Sequence, residues 1–181
     1  MAEKNNVFVG VTGRFMRLDP RDQNITSADQ EITGVDYGYL SDEGVEIAND
    51  KTVENRNAWQ NADVVRSLTT EASTTFAFTL IEDTVNTREL YFGSPEQNGV
   101  INWNPSDSAE GRFALQVLDP KANGGRSYKR LFVFDGRVTS TETVTIANSE
   151  LIGYGVTITT LGRTEVFTSV VEEGVDPDPE G

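Results

Sequence analysis

The stretch Thr75-Phe76-Ala77-Phe78-Thr79-Leu80 decides the fold class. In an extended chain successive side chains point to opposite faces, so Phe76, Phe78 and Leu80 share one side while Thr75, Ala77 and Thr79 share the other. One face is dry and the other wet, which is how a sheet covered on one side reads. The stretch lies in a run from Val45 to Phe92 that contains neither Gly nor Pro. Nothing there forces a break, so long strands are expected, at residues 50–56, 63–70 and 72–82.

Working outward, Val7, Val9 and Val11 alternate with Phe8, Gly10 and Thr12 and predict a first strand over residues 7–14. Residues 18–34 are polar, are broken by Asp19-Pro20, and read as a loop or arm. Residues 37–40 and 45–47 flank Ser41-Asp42-Glu43-Gly44, which has the residues of a hairpin turn. Beyond Glu82, Asp83-Thr84 offers an N-cap, alternation disappears from Asn86 onward, and Gly93 followed by Pro95 stops the segment. One short helix is predicted, over residues 85–92. Strand patterns resume at residues 100–103, 112–118, 128–134, 141–147 and 151–161, separated by the turn signals Asn98-Gly99, Asn123-Gly124-Gly125 and Asp135-Gly136. The fold class that follows is mainly β, a β-sandwich or partly open barrel with one short flanking α-helix. The expected organisation is a single domain over residues 1–165 and an acidic, flexible tail over 166–181. Glu172, Glu173, Asp176, Asp178 and Glu180 stand in that tail with Pro177 and Pro179 and no base.

Composition narrows the chemistry. The 181 residues include 20 Thr and 19 Val but no Cys and no His, and 29 acids outweigh 15 bases for a formal charge of −14. Without Cys there is no disulfide, iron–sulfur or thiolate zinc chemistry, and without His no imidazole base or Ser-His-Asp triad. No apolar run approaches the roughly 20 residues of a membrane span, and the first residues lack a signal-peptide core, so no membrane partner is expected. A static nucleic-acid binder needs a basic stripe, and none is present.

The remaining motifs read as structural. Gly153-Tyr154-Gly155 lacks the third glycine of a dinucleotide loop. The acids of Asp42-Glu43-Gly44-Val45-Glu46 do not have calcium-loop spacing. Carboxylate pairs drawn from Glu71, Glu82 and Asp83 are the one enzymatic route left open, and 29 acids make such pairs expected by chance. The chain is read as a non-enzyme with no cofactor or metal. Trp59 stands among Asn55, Asn57, Gln60 and Asn61, where a large apolar ring signals a contact surface.

Four segments carry a family resemblance: Gly38-Tyr39-Leu40-Ser41-Asp42-Glu43-Gly44-Val45, Asn57-Ala58-Trp59-Gln60-Asn61-Ala62-Asp63-Val64-Val65-Arg66, Thr75 through Glu82, and Glu89-Leu90-Tyr91-Phe92-Gly93. Together they resemble the major tail tube proteins of long-tailed, siphovirus-type phages, particularly those of actinobacteria. The likeness continues weakly through Arg130-Leu131-Phe132-Val133-Phe134-Asp135-Gly136 and residues 154–161. It implies a structural virion protein whose hexameric rings stack into the tail conduit for DNA ejection. The implied partners are copies of the chain itself, the tape measure, tail tip and terminator proteins, and double-stranded DNA in transit. The implied location is the virion tail, after synthesis in the host cytoplasm. In that setting Ser67, Thr69, Glu71, Ser73, Thr75 and Thr79 are expected to face the lumen, and Asp42, Glu43, Trp59 and Asn61 to touch other subunits or rings. The acidity then becomes useful, because a negative wall repels phosphate. The alternatives are a capsid decoration protein or a tube subunit of a contractile injection or secretion machine. A carbohydrate-binding module built on Trp59 and Trp103 comes third.

Overall fold

A computed structural model describes residues 10, 12–20, 24–57, 64–122, 126–148 and 151–172. Its elements in chain order are β1 (Thr12–Leu18), β2 (Gly34–Asp36), β3 (Leu40–Asn57), β4 (Val64–Leu80), α1 (Val85–Phe92), β5 (Glu96–Gln97), β6 (Val100–Ile101), β7 (Glu110–Ala122), β8 (Arg126–Thr141) and β9 (Tyr154–Glu172). Seven strands form one antiparallel sheet in the order β2-β1-β7-β8-β9-β4-β3, and β5 and β6 make a separate hairpin. The sheet is open, yet it curls until its two ends meet. Phe15 on β1 stacks beside Tyr37 and Phe113 and also reaches Phe78 on β4.

Alternation along the strands sorts the apolar side chains into two cores. Phe15, Phe76, Phe78, Leu80, Phe113, Phe134 and Ile158 fill the inside of the curl, with Leu90 of α1 closing it. Met16, Ala114, Leu131 and Val133, one residue out of phase with the first set, point to the outer face. That face is covered by Ile25, Ala28 and Ile32, all buried. The polar segment 18–34 is therefore, over its described part, a loop stapled onto the sheet by three apolar residues, each contributing roughly 1 to 3 kcal/mol of burial. Asp29 holds the loop from outside, accepting from Ser169 Oγ at 2.8 Å and lying 3.4 Å from Lys129 Nζ.

The helix forms where the sequence places it. Thr84 caps it, its hydroxyl accepting from the Thr87 amide, and Gly93 ends it at φ +72°, its amide bonding the Glu89 carbonyl. The Asn98-Gly99 turn joins β5 to β6 with both residues at positive φ. Elsewhere the structure corrects the expected boundaries. Ser41-Asp42-Glu43-Gly44 is no hairpin turn. It is a bulge within β3, between the pairs Leu40↔Leu80 and Val45↔Phe78, and Gly44 at φ +76° lets the chain make the detour. Residues 50–56 belong to β3, and the two strands expected over 63–70 and 72–82 are one continuous β4. Asp135-Gly136 lies inside β8, where a Cβ on Gly136 would sit 2.6 Å from Ile158 Cγ2; the glycine serves close packing. The β-prone residues 141–147 are loop beyond Thr141, with Val144 packed on the core. Residues 166–172, assigned to the tail from composition, continue β9 against β8. Over the described residues the first strand runs from Thr12 to Leu18, past its expected end at residue 14. Asn123-Gly124-Gly125, residues 7–9 and 11, and residues 173–181 lie outside the described residues.

Candidate assembly surface

Two free edges diverge from one point in the sheet. β4 pairs with β9 only from Thr75↔Thr159 to Leu80↔Tyr154. Among the described residues, β4 before Thr75 is partnered by β3 alone, over a ladder that extends to Asn57↔Val64, and β9 after Thr164 by β8 alone, as far as Arg126↔Glu172. The split coincides with an irregularity at Leu161-Gly162-Arg163, where Gly162 adopts φ +118° and β9 carries extra residues between its pairs with Phe134 and Gly136. β3 ends the sheet with its outer edge unpaired among the described residues. The inner face of the β3–β4 ribbon turns polar as it leaves the body: Ile47↔Phe76 is followed by Asn49↔Thr74, whose side chains bond at 2.6 Å. A two-stranded ribbon is marginal alone, and a long unpaired edge invites another chain.

The wet face of this ribbon can be read from its register. Glu71, Ser73, Thr75 and Thr79 lie opposite the face of Phe76, Phe78 and Leu80, as expected, and pair with Thr52, Asp50 and Ala48 through Glu71, Ser73 and Thr75. Thr157 and Thr159 of β9 extend the same face, and the Thr159 and Thr139 hydroxyls lie 2.8 Å apart. Ser67 and Thr69 do not share it. Thr52 pairs with Glu71 and Val53 with Thr69, so Thr70 is an extra residue, and beyond it the alternation is inverted. Ser67 and Thr69 fall in register with the inner face, and Leu68 turns outward, 37% exposed. Sequence parity alone puts Leu68 with Phe76; nothing in Leu68-Thr69-Thr70-Glu71 announces the bulge. Asp42 and Glu43 are exposed on the β3 bulge. Trp59 and Asn61 lie outside the described residues.

Two of the three carboxylates considered as catalytic pairs, Glu82 and Asp83, have structural partners. Glu82 Oε2 accepts from the Tyr39 amide. Asp83 Oδ1 takes Arg88 Nη1 at 2.8 Å and the Tyr154 hydroxyl at 3.2 Å, and Arg88 also grips Glu96 through Nε and Nη2. Those two acids hold the Arg88 guanidinium still more firmly protonated than usual. Burial, and then the Asp83 charge, raise the Tyr154 phenol. Burial pushes Tyr37 up to about 12, with nearby Arg17 opposing. The arrangement ties α1 to β5 and β9 and leaves no carboxylate pair poised over a cleft among these residues. Trp103 is exposed and stands edge-on to Phe92.

The family profile for phage tail tube proteins matches residues 3–172. Among solved structures, the chain is similar to one from the tail of an empty gene transfer agent particle with helical, C6 symmetry: 11% identity, 84% of this chain and 93% of that chain covered, TM-score 0.46. It is also similar to one from the virion of a native gene transfer agent particle: 11% identity, 84% and 94% covered, TM-score 0.45. No curated protein matches the chain.

Proposed function

This chain belongs to the phage tail tube protein family, and we propose that it is the repeating subunit of a siphovirus-type tail, six copies closing into a ring and rings stacking into the DNA conduit. The observation that supports this reading is the pair of long edges left open by the sheet: β3 and the outer halves of β4 and β9 have the length and polarity to be completed by neighbours, and ring closure removes the edge liability. The sixfold count is that of the gene transfer agent tail named above, brought to this chain as a proposal.

The wet face of β3 and β4 lines the lumen in this reading. Glu71, Ser73, Thr75 and Thr79 stand there with Glu46 and Asp50 of β3, while Ser67 and Thr69 point to the other side of the ribbon past the bulge. Carboxylates repel phosphate and hydroxyls keep the wall hydrated, so duplex DNA passes without being held. Asp42, Glu43, Trp59 and Asn61 remain proposed contacts between subunits. Tape measure, tail tip and terminator proteins are the proposed partners, and assembly starts from subunits in the host cytoplasm.

Electron microscopy of the concentrated full chain, with and without tail-tip initiators, tests the proposal. Tubes with sixfold rings are the expected result. Monodisperse monomers, even with initiators, would overturn it, and trimers that coat capsid shells would establish the decoration alternative instead. In tubes, single cysteines at Glu71 and Ser73 are expected to react with small thiol reagents and to be shielded from bulky ones.

A further inference from the structure

A cleft between α1 and the β1–β2 end of the sheet is lined by a guanidinium and a carboxylate that form no ion pair, and by a phenol that makes no hydrogen bond, among the described residues. We propose that this cleft binds a small zwitterion of the α-amino acid class. The proposal goes beyond the tube reading and does not depend on it.

The cleft has a volume of about 240 Å³, and its walls include Arg17, Val35, Tyr37, Asn86, Glu89 and Ser108. Its polar groups are held by their own surroundings. Tyr37 is 3% exposed, its ring stacks on Phe15, and its carbonyl accepts from Thr87 Oγ1 at 3.4 Å. The ring is therefore fixed, yet its hydroxyl has no partner among the described residues. A polar group so deeply buried is ordinarily bonded, and one that is not marks a place where something else binds. Arg17 lies over Gly111, where a Cβ would stand 2.7 Å from Arg17 Nε, so the glycine makes room for the guanidinium. Arg17 Nη2 donates to the Glu110 carbonyl at 2.9 Å, and the other guanidinium donors have no partner among the described residues. On the helix, Glu89 Oε1 accepts from the Glu96 amide at 2.7 Å, which leaves Oε2 without a partner there. Asn86 stands three residues earlier on the same helix face.

The two charges select the ligand. Burial raises the Tyr37 phenol, Arg17 opposes that and Glu89 adds to it, so both charges stand within electrostatic reach of the hydroxyl. No ion pair joins Arg17 to Glu89 among the described salt bridges. A lone carboxylate entering the cleft would gain Arg17 but face Glu89 and Glu110, and a lone ammonium would gain Glu89 but face Arg17. A molecule that carries both signs meets each with its complement. Its carboxylate takes charge-assisted bonds from Arg17, its ammonium donates to Glu89 Oε2, and the Tyr37 hydroxyl completes the ring of contacts. The volume lies below the roughly 300 Å³ at which sites for drug-sized ligands begin, so the ligand's side chain is small. Bound there, it ties α1 to strands with which the helix shares no ladder, and so stabilises the fold in proportion to its concentration.

Glycine, acetate and methylammonium, titrated separately into the unassembled full chain, test this by NMR at the Arg17 Nε–H and the Asn86 side-chain amide. Glycine is expected to shift both signals saturably with a Kd on the order of 1 mM, and the two single-charge probes to bind about tenfold more weakly or worse. Tyr37→Phe keeps the ring, and Glu89→Gln keeps the acceptor for the Glu96 amide. Each is expected to weaken glycine binding by roughly fivefold or more, with unchanged thermal unfolding at neutral pH. Gly111→Ala, which crowds the guanidinium, is expected to weaken it as well. No saturable shift with glycine at roughly 100 mM would overturn the proposal and leave the cleft to water. Acetate or methylammonium binding as tightly as glycine would overturn the two-charge recognition. Undiminished binding by both Tyr37→Phe and Glu89→Gln would overturn the assignment to this cleft.

Discussion

Phe15 of β1 and Phe78 of β4 stand with ring centroids 4.4 Å apart although β7, β8 and β9 lie between their strands in the sheet order. This contact closes the curl, since it joins strands that share no backbone ladder. Both rings are buried, so truncation leaves a cavity at the seam. Phe15→Ala and Phe78→Ala are each expected to cost about 3 to 5 kcal/mol in urea unfolding. The double variant should lose less than their sum, by roughly 0.5 to 1.5 kcal/mol, the worth of an aromatic pair. Strict additivity would show that the seam is not held by this contact.

The helix is short and depends on its ends. Thr84→Ala removes the hydroxyl that accepts from the Thr87 amide and should cost about 1 kcal/mol. Gly93→Ala should cost more, because φ is +72° and the new Cβ would sit 2.6 Å from the Asp107 carbonyl carbon. Chemical denaturation of both variants gives the ordering; Thr84→Ala as the worse of the two would contradict the cap geometry.

Tyr37 makes stability fall in alkali. Burial holds its phenol neutral up to about 12, whereas the unfolded chain releases that proton near 10. Its contribution is fully present below pH 10 and is lost as the pH rises from 10 through 12, by roughly 2 to 3 kcal/mol at most. Tyr154, also raised, adds in the same direction. Tyr37→Phe should flatten most of the decline between pH 10 and 12 in unfolding measured across that range, and an unchanged slope would assign it elsewhere.

The elements that sequence reading located well are those set by local chemistry. Thr84 and Gly93 delimit α1, and the Phe76-Phe78-Leu80 alternation names the core face of β4, because cap and pleat geometry depend on near neighbours. The features it missed depend on distant partners. Asp135-Gly136 has the composition of a turn, but Gly136 is demanded by Ile158 across the ladder. Thr141 to Ala147 has strand propensity, yet the loop is drawn aside by Tyr91. Ile25, Ala28 and Ile32 are sparse in a polar segment and become a staple only once Met16, Leu131 and Val133 present a face to cover. For the assembly surface, the long strands were legible and the bulge at Thr70 was not, so four of the six expected lumen residues share the wet face and two do not.

That bulge can be tested directly. Deleting Thr70 removes the extra residue opposite Thr52 and Val53 and restores simple alternation through the ribbon. The pairs Thr52↔Glu71 and Val53↔Thr69 then follow one another with no residue between them, so Ser67 stays on the inner face and Leu68 on the wet face. In assembled tubes a cysteine at position 67 should therefore be unreactive toward lumen-borne reagent both with Thr70 and without it. Reactivity with Thr70 present that is lost on its deletion would mean that the register inversion does not survive assembly.

The sign of the wall charge sets the last expectation. Glu46 and Asp50 of β3 and Glu71 of β4 share the wet face, and none of the three carries an ion pair among the described salt bridges. Wild-type tubes should not retain short duplex DNA at moderate salt, because repulsion and hydration leave nothing to hold a phosphate. Replacing Asp50 and Glu71 by Lys places two cations per subunit on that face. Such tubes should capture duplex DNA with an affinity that falls steeply as salt rises, the mark of counterion release. Adding cations to the tube exterior, for example at exposed Glu31, should give weaker capture that stays accessible to nuclease, whereas lumen-held DNA is protected. Lysine variants that hold no more DNA than the wild type would show that these acids face away from the channel.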